Sequence, residues 1–263
     1  FGDVAEAIVV LVRVVLVRVV LVRVVLVGFD VAVEQPATST PMRISFRMNR
    51  SMPQEGDRCV NNYRAQVAAA TVPDLLFGCW KRAWIKFADG TIDDTTTVFW
   101  LQTESLMVDV RINIDPLHIS RRSGLHDCTI DELHALALND ASSGFTRCGQ
   151  PVVGADGLRG ATASWNTRGH GINFQPVSAF PEPGLMTWNA DGTVMMEYAP
   201  SGAYVEEWRL VPGTRYPLMV TQDESTTTYR SGGVAVLVRD RQIPIPRLAQ
   251  LSELVDEFWE DRT

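Results

Sequence analysis

The sequence predicts an all-β fold: a single antiparallel barrel of about ten strands, with one helix inserted among them and another after the last. Three observations predict it. The stretch Gly78-Cys79-Trp80-Lys81-Arg82-Ala83-Trp84-Ile85-Lys86-Phe87-Ala88-Asp89-Gly90, running on through Thr97-Val98-Phe99-Trp100-Leu101-Gln102-Thr103 to Val108-Asp109-Val110-Arg111-Ile112, reads as three strands joined by tight turns. Asp89-Gly90 is a hairpin signal, because Gly accepts the positive φ that primed turns need. Downstream, short β-branched and aromatic runs recur at even spacing with turn residues between them.

The chain opens differently. From Val9 the pentapeptide Val-Val-Leu-Val-Arg occurs three times, followed by Val24-Val25-Leu26-Val27-Gly28. A membrane helix has about this length, but Arg13, Arg18 and Arg23 would each cost about 2.5–3.5 kcal/mol at the bilayer centre. On a helix they are also turned by about 140° from one to the next, which leaves no apolar face. On a strand, a period of five sends alternate arginines to opposite faces. The remaining reading is a translated tandem repeat lying ahead of the true start, in a chain that begins with Phe1 and shows no small-residue cleavage site of a signal peptide. Residues 1–28 are therefore set apart as low-complexity sequence. Residues 29–71, with Pro36, Pro41, Pro53 and Gly56 and no periodicity, read as a linker or disordered arm. Residues 72–263 are assigned to the barrel domain, which begins near Val72-Pro73-Asp74.

Within that domain Asp115-Pro116 ends the third strand. Thr129-Ile130-Asp131-Glu132 is a capping box, with the Thr129 hydroxyl on the helix start and Glu132 returning to its amide. Ile130, Leu133 and Leu136 then share one face of a helix reaching about Asn139. Strands follow at 145–153, 160–166, 172–175, 185–188, 193–198, 204–211, 216–222, 226–230 and 234–239. Pro244 and Pro246 stop the sheet. A last helix from about Leu248 places Leu251, Leu254, Val255 and Phe258 on one side, to pack on the outside of the barrel.

Composition narrows the function. A 46% hydrophobic fraction over 263 residues is ample for a core, and a net charge of −7 gives no basic footprint for nucleic acid. Cys59, Cys79, Cys128 and Cys148 include no C-x-x-C pair, so neither a zinc site nor a dense disulfide scaffold is expected. Reduced thiols in a cytoplasmic protein are the expectation, with a Cys79–Cys148 bridge left to geometry. No membrane association, cofactor or metal is expected.

Gly78-Cys79-Trp80 on the first strand, the series of about ten antiparallel strands and the helix after them together resemble a lipocalin-like barrel. Trp84-Ile85-Lys86-Phe87-Ala88-Asp89-Gly90, Thr97-Val98-Phe99-Trp100-Leu101-Gln102-Thr103, Asp109-Val110-Arg111-Ile112, Ile172-Asn173-Phe174-Gln175-Pro176 and Tyr204-Val205-Glu206-Glu207-Trp208 are similar, in order and spacing, to the Hri1-type family of lipocalin-like microbial and fungal proteins. The likeness covers about Leu76 to Asp240. It implies a fold and no established catalytic residues. It also implies that Trp80 plugs the closed end against an Arg near the last strand, Arg239 or Arg241.

Strand alternation selects the side chains of a candidate pocket. Trp80, Arg82, Trp84 and Lys86 share one face of the first strand; Asp109 and Arg111 share one face of the third; Tyr204, Glu206, Trp208 and Leu210 share one face of the 204–211 strand. The candidate ligand-binding set is Arg82, Trp84, Trp100, Gln102, Asp109, Arg111, Asn173, Gln175, Tyr204, Glu206 and Trp208. The same alternation also suits a filled barrel with these charges outside. His118, His126 and His134 read as surface residues, and His170, in Gly169-His170-Gly171, as a turn residue rather than a haem ligand. The sequence holds no G-x-S-x-G elbow, phosphate loop or H-E-x-x-H.

The expectation is a non-enzymatic barrel that binds a small apolar or amphipathic ligand. Two alternatives stand beside it: an enzyme using Glu206 or Asp109 as acid/base, and a filled barrel serving as a protein-interaction module.

Overall fold

The computed structural model describes residues 21–26, 72–113, 127–166, 172–222, 226–239 and 251–260. The 29–71 arm, most of the repeat, Asp115-Pro116, His118, His126, His170, Arg241, Pro244 and Pro246 lie outside them.

Eight strands close into an antiparallel barrel. In chain order they are β2 (Gly78–Phe87), β4 (Thr97–Gln102), β5 (Leu106–Ile112), β6 (Asp140–Cys148), β8 (Arg159–Asn166), β10 (Gly184–Trp188), β11 (Val194–Tyr198) and β12 (Tyr204–Leu210). Each pairs with the next, and β12 pairs back with β2, so the connectivity is up-and-down and no barrel edge is left open. Short strands β3 (Ile92–Asp93), β7 (Val152–Val153) and β9 (Ile172–Asn173) hang on β2, β8 and β6.

The sixth strand starts five residues before the expected 145. Asp140-Ala141-Ser142-Ser143-Gly144 has little intrinsic β preference, and its pairing with Arg111 through Met107 on β5 overrides that. The hairpin at Asp89-Gly90 forms with Gly90 at φ 89°, as its sequence requires.

The strands expected at 216–239 leave the barrel. They become β13 (Leu218–Gln222), β14 (Thr226–Ser231) and β15 (Val234–Arg239), a second antiparallel sheet. Its fourth strand is β1 (Leu21–Leu26), which pairs antiparallel with β15 from Leu21↔Arg239 to Leu26↔Val234. The repeat thus does enter a regular element over six residues. That length contains a single arginine, Arg23, so the face reversal that a period of five imposes between copies never arises within it.

The capping box forms as expected: Glu132 N–H donates to Thr129 Oγ1, and Thr129 N–H donates to Glu132 Oε2 at 2.8 Å. It opens helix α1 (Ile130–Ala137). Helix α2 (Leu251–Glu260) follows the second sheet. Leu133 and Leu136 of α1, Leu251 and Val255 of α2, and Tyr229, Val236 and Val238 of the second sheet form one apolar cluster with Leu101, Val108, Val110 and Ile112. Those last four are the outward residues of β4 and β5, so this cluster covers the outside of the barrel. No helix among the described residues is long and apolar enough to cross a membrane.

The other large cluster fills the lower half of the interior: Trp80, Met186, Trp188 and Met195 pack with Leu75, Leu76 and Phe77 from the segment that enters the barrel. Trp80 Nε1 donates to Leu76 O at 2.8 Å. Of the two arginines expected at this end, Arg241 lies outside the described residues. Arg239 lies on β15, where its Nε donates to Thr226 Oγ1. Arg215, in the loop after β12, donates to Asp74 O, Leu75 O and Gly192 O at 2.8–2.9 Å, latching the entering segment to the β10–β11 turn.

Candidate functional site

One irregularity decides which β2 side chains face inward. Trp208 pairs with Arg82, but Glu207 pairs with Trp84, so Ala83 is an extra residue in β2. Before this bulge Trp80 and Arg82 point in; after it Ile85 and Phe87 do, opposite Glu206 and Tyr204. Trp84, expected in the pocket, is turned to the outer face, as is Lys86. Trp84 Nε1 donates there to Glu207 Oε2 at 3.2 Å. A plain period of two fails at one residue, and every later side chain on the strand changes face.

Above the filled half lies a cavity of about 310 Å³. Its walls include Trp100, Asp109, Arg111, Tyr204 and Trp208 from the expected set, together with Met107, Asp140, Ser142, Trp165, Phe180 and Glu197. Ser178, Pro181 and Glu182, from the loop before β10, border it as well. Trp100 meets Trp165 and Trp208 edge to face at 5.7 and 5.8 Å. Phe180 stands edge-on to Tyr204 at 5.2 Å and lies 4.2 Å beneath the Arg111 guanidinium.

The remaining expected residues sit elsewhere. Gln102 is wholly buried below the cavity, accepting from Thr146 Oγ1 at 2.7 Å and donating to Thr103 O at 2.9 Å. Gln175 donates to Ala137 O and Asn139 O, securing the end of α1. Asn173 lies on β9, paired with Ser142, and is not part of the wall.

The polar layer is rich in charge. Arg82 donates to Glu206 Oε1 at 3.1 Å and to Asp93 Oδ2 at 2.7 Å, with its own side chain nearly wholly buried. Arg111 Nε donates to Asp109 Oδ1 at 2.8 Å, and its Nη1 stands 3.6 Å from Glu206 Oε1. Both carboxylates that the sequence offers as an acid/base, Glu206 and Asp109, are therefore occupied by arginine. Asp93 also accepts from the N–H groups of Thr95 and Thr96, and these bonds hold its carboxyl below the usual range.

Two carboxyls in this layer have no arginine or lysine within ion-pair distance among the described residues. Glu197 is 4% exposed and receives one bond, from the Tyr204 hydroxyl at 3.4 Å. Burial, and then the Glu206 charge opposite, push its carboxyl above the usual range. Burial likewise raises Glu206 against the pull of its arginines. Asp140 accepts from Ala141 N–H at 2.8 Å; burial, with Asp109 nearby, pushes it up to about 6. The Tyr204 phenol and the Arg111 guanidinium both titrate above their ordinary values, the first through burial and the second through the Asp109 and Glu206 charges, which outweigh its desolvation.

Three of the wall's defining groups escape the sequence reading for separate reasons. Phe180 belongs to a loop. On β11 Met195 and Glu197 point in while Met196 and Tyr198 point out, so both faces look alike in sequence. Trp165 did carry a signal, alternating with the small residues Ala161 and Ala163 on β8 as an inward set.

Cys79 and Cys148 are buried free thiols with no bridge between them. Burial pushes them up to about 12 and about 11, which leaves them protonated and inert. Among the described residues no group of three or more His, Cys, Asp or Glu is placed to hold a metal ion. Compared with protein-family models, curated proteins and solved structures, the chain matches none.

Proposed function

We propose that this chain is a non-enzymatic, lipocalin-like protein that binds one small amphipathic molecule inside its barrel. The observation that carries the reading is the 310 Å³ cavity, walled by Trp100, Trp165, Trp208, Tyr204 and Phe180 and bordered by charged groups. Small-molecule sites usually pair aromatic walls with convergent polar groups; this wall is the more polar for Asp109, Arg111, Asp140 and Glu197, and its volume lies at the lower end of their range of about 300–1,000 Å³. Eight up-and-down strands with a plugged end are also the plan of small barrels that hold one ligand. The Hri1-type likeness and a cytoplasmic setting belong to the same proposal, the latter supported by the unbridged Cys79 and Cys148.

A hollow interior counts against a barrel packed solid as an interaction scaffold. The acid/base alternative is weakened by the arginines bonded to Glu206 and Asp109.

The test is a tryptophan-fluorescence and thermal-shift screen of the full chain against single-ring acids, alcohols and amines and short fatty acids. Saturable quenching with a raised Tm is expected for at least one class, because three indoles line the cavity. Unchanged fluorescence and Tm throughout would count against the proposal.

A further inference from the structure

We infer that the ligand is a small organic cation, a single aromatic ring bearing an ammonium group, with that group seated between Asp140 and Glu197; the inference rests on the cavity being a ligand site.

The first observation is the charge arrangement around the wall. Arg82 of β2 is held by Glu206 of β12 and Asp93 of β3; Arg111 of β5 is held by its neighbour Asp109 and has Glu206 at 3.6 Å. Three carboxylates thus share two guanidiniums. Asp140 of β6 and Glu197 of β11 have no arginine or lysine within ion-pair distance among the described residues, with Tyr204 of β12 as the hydrogen-bond donor to Glu197 and Glu182 from the bordering loop adding a further acid. No lysine lines the wall. An uncompensated carboxylate out of water is costly, and either a proton or a cation must answer it. A bound ammonium supplies the missing charge.

The second observation is independent of charge. Trp100 and Trp208 line the cavity, are 3% and 1% exposed, and carry indole N–H groups with no hydrogen-bond partner among the described residues; Arg111 Nη1 likewise has none. Buried donors without partners are uncommon and point to an acceptor brought from outside the protein. Their ring faces, with Tyr204 and Trp165, offer the π surface that attracts ammonium groups. A ring hydroxyl or carbonyl on the ligand would meet the indole donors while the ammonium meets the acids.

The glycine at the head of β10 fits the same design. A Cβ on Gly184 would stand 2.7 Å from Trp165 Cη2 and 2.8 Å from Glu197 Oε1. Only a residue without a side chain lets the ring and the carboxylate both reach the cavity there.

The experiment titrates the full chain with phenethylamine, 2-phenylethanol and phenylacetate, which share a ring and differ in the charge of the head group. The amine is expected to bind at least about tenfold more tightly than the alcohol, and the acid most weakly. Its affinity should fall between pH 7.5 and 5, where Asp140, pushed up to about 6 by burial, takes up its proton while the amine stays charged. Glu197→Gln and Asp140→Asn should each shrink the amine-to-alcohol ratio, and Trp84→Phe on the outer face should leave it unchanged. If the alcohol or the acid binds as well as the amine, the cation inference falls and the cavity reading survives; an acid that binds best would place Arg111 Nη1 as the anchor instead. If none of the three binds and the wider screen is also silent, the cavity reading falls with it.

Discussion

Glu197 and Glu206 face each other directly across β11 and β12, both inside the barrel and both at most 4% exposed. Like charges opposite one another on paired strands repel, and burial weakens the screening that bulk water would give. Of these two carboxyls only Glu206 stands within ion-pair distance of Arg82 and Arg111 among the described residues. The carboxyl of Glu197 is consequently the group that the fold keeps protonated most readily.

Replacing Glu197 with Gln removes the repulsion and keeps the shape. A raised folded-state pKa means that the native protein binds the proton more tightly than the unfolded chain. Its stabilising effect is full below the ordinary carboxyl pKa of about 4 and is lost as pH rises through the folded value. The Tm of Glu197→Gln should therefore exceed that of the wild type by a margin that widens from acid to mildly alkaline pH. Asp140→Asn should behave likewise, with its margin opening between about pH 4 and the raised value of about 6. A constant difference across pH would contradict the assignment.

Removing Arg82 should act in the opposite direction and destabilise the protein. Arg82→Met leaves Glu206 buried beside the uncharged stem and should cost about 3–5 kcal/mol in urea unfolding at pH 7. Adding Glu206→Gln should restore much of that loss, since removing both members of a buried pair is far milder than removing one. Additive losses in the double variant would show that the two side chains act separately.

Much of this architecture was legible in the chain. Asp89-Gly90, the Thr129 capping box and the even strand spacing are local signals, and local signals survive folding. Asp109 and Arg111 were placed on the correct face because β5 runs without interruption. Trp84 was misplaced because one extra residue, Ala83, is invisible to a period-two count. The departure of β13–β15 from the barrel depends on which surfaces meet, namely Val236 and Val238 against Val108 and Val110, and no alternation pattern encodes a partner. Glu197 lies on a strand apolar on both faces, so its direction is set by its neighbours alone.

The bulge makes its own prediction. Trp84→Phe removes an indole from the outer face, and Trp208→Phe removes one from the cavity wall. Ligand-induced quenching should be kept in the first and reduced in the second. Equal loss in both would mean that Ala83 does not shift the register.

Gly184→Ala tests how tightly the wall is built. The added methyl group must displace Trp165 or Glu197, so overpacking should cost about 1–3 kcal/mol and change the near-ultraviolet circular dichroism. A variant with wild-type stability, spectrum and ligand affinity would show that the wall yields freely at this point.

Cys79 and Cys148 should resist a thiol reagent at pH 8 in the native protein and react within the unfolding transition, since burial keeps both protonated and covered. Reaction at the rate of a free thiol would place either one at the surface.

The most direct test of a hollow, ligand-holding barrel is native mass spectrometry of the full 263-residue chain, before and after denaturation and after incubation with phenethylamine. One non-covalent adduct per chain is expected, either carried through purification or taken up on incubation, that disappears when the protein is denatured. A bare chain mass in every spectrum, including those recorded after incubation with the acids, alcohols and fatty acids of the wider screen, would contradict it.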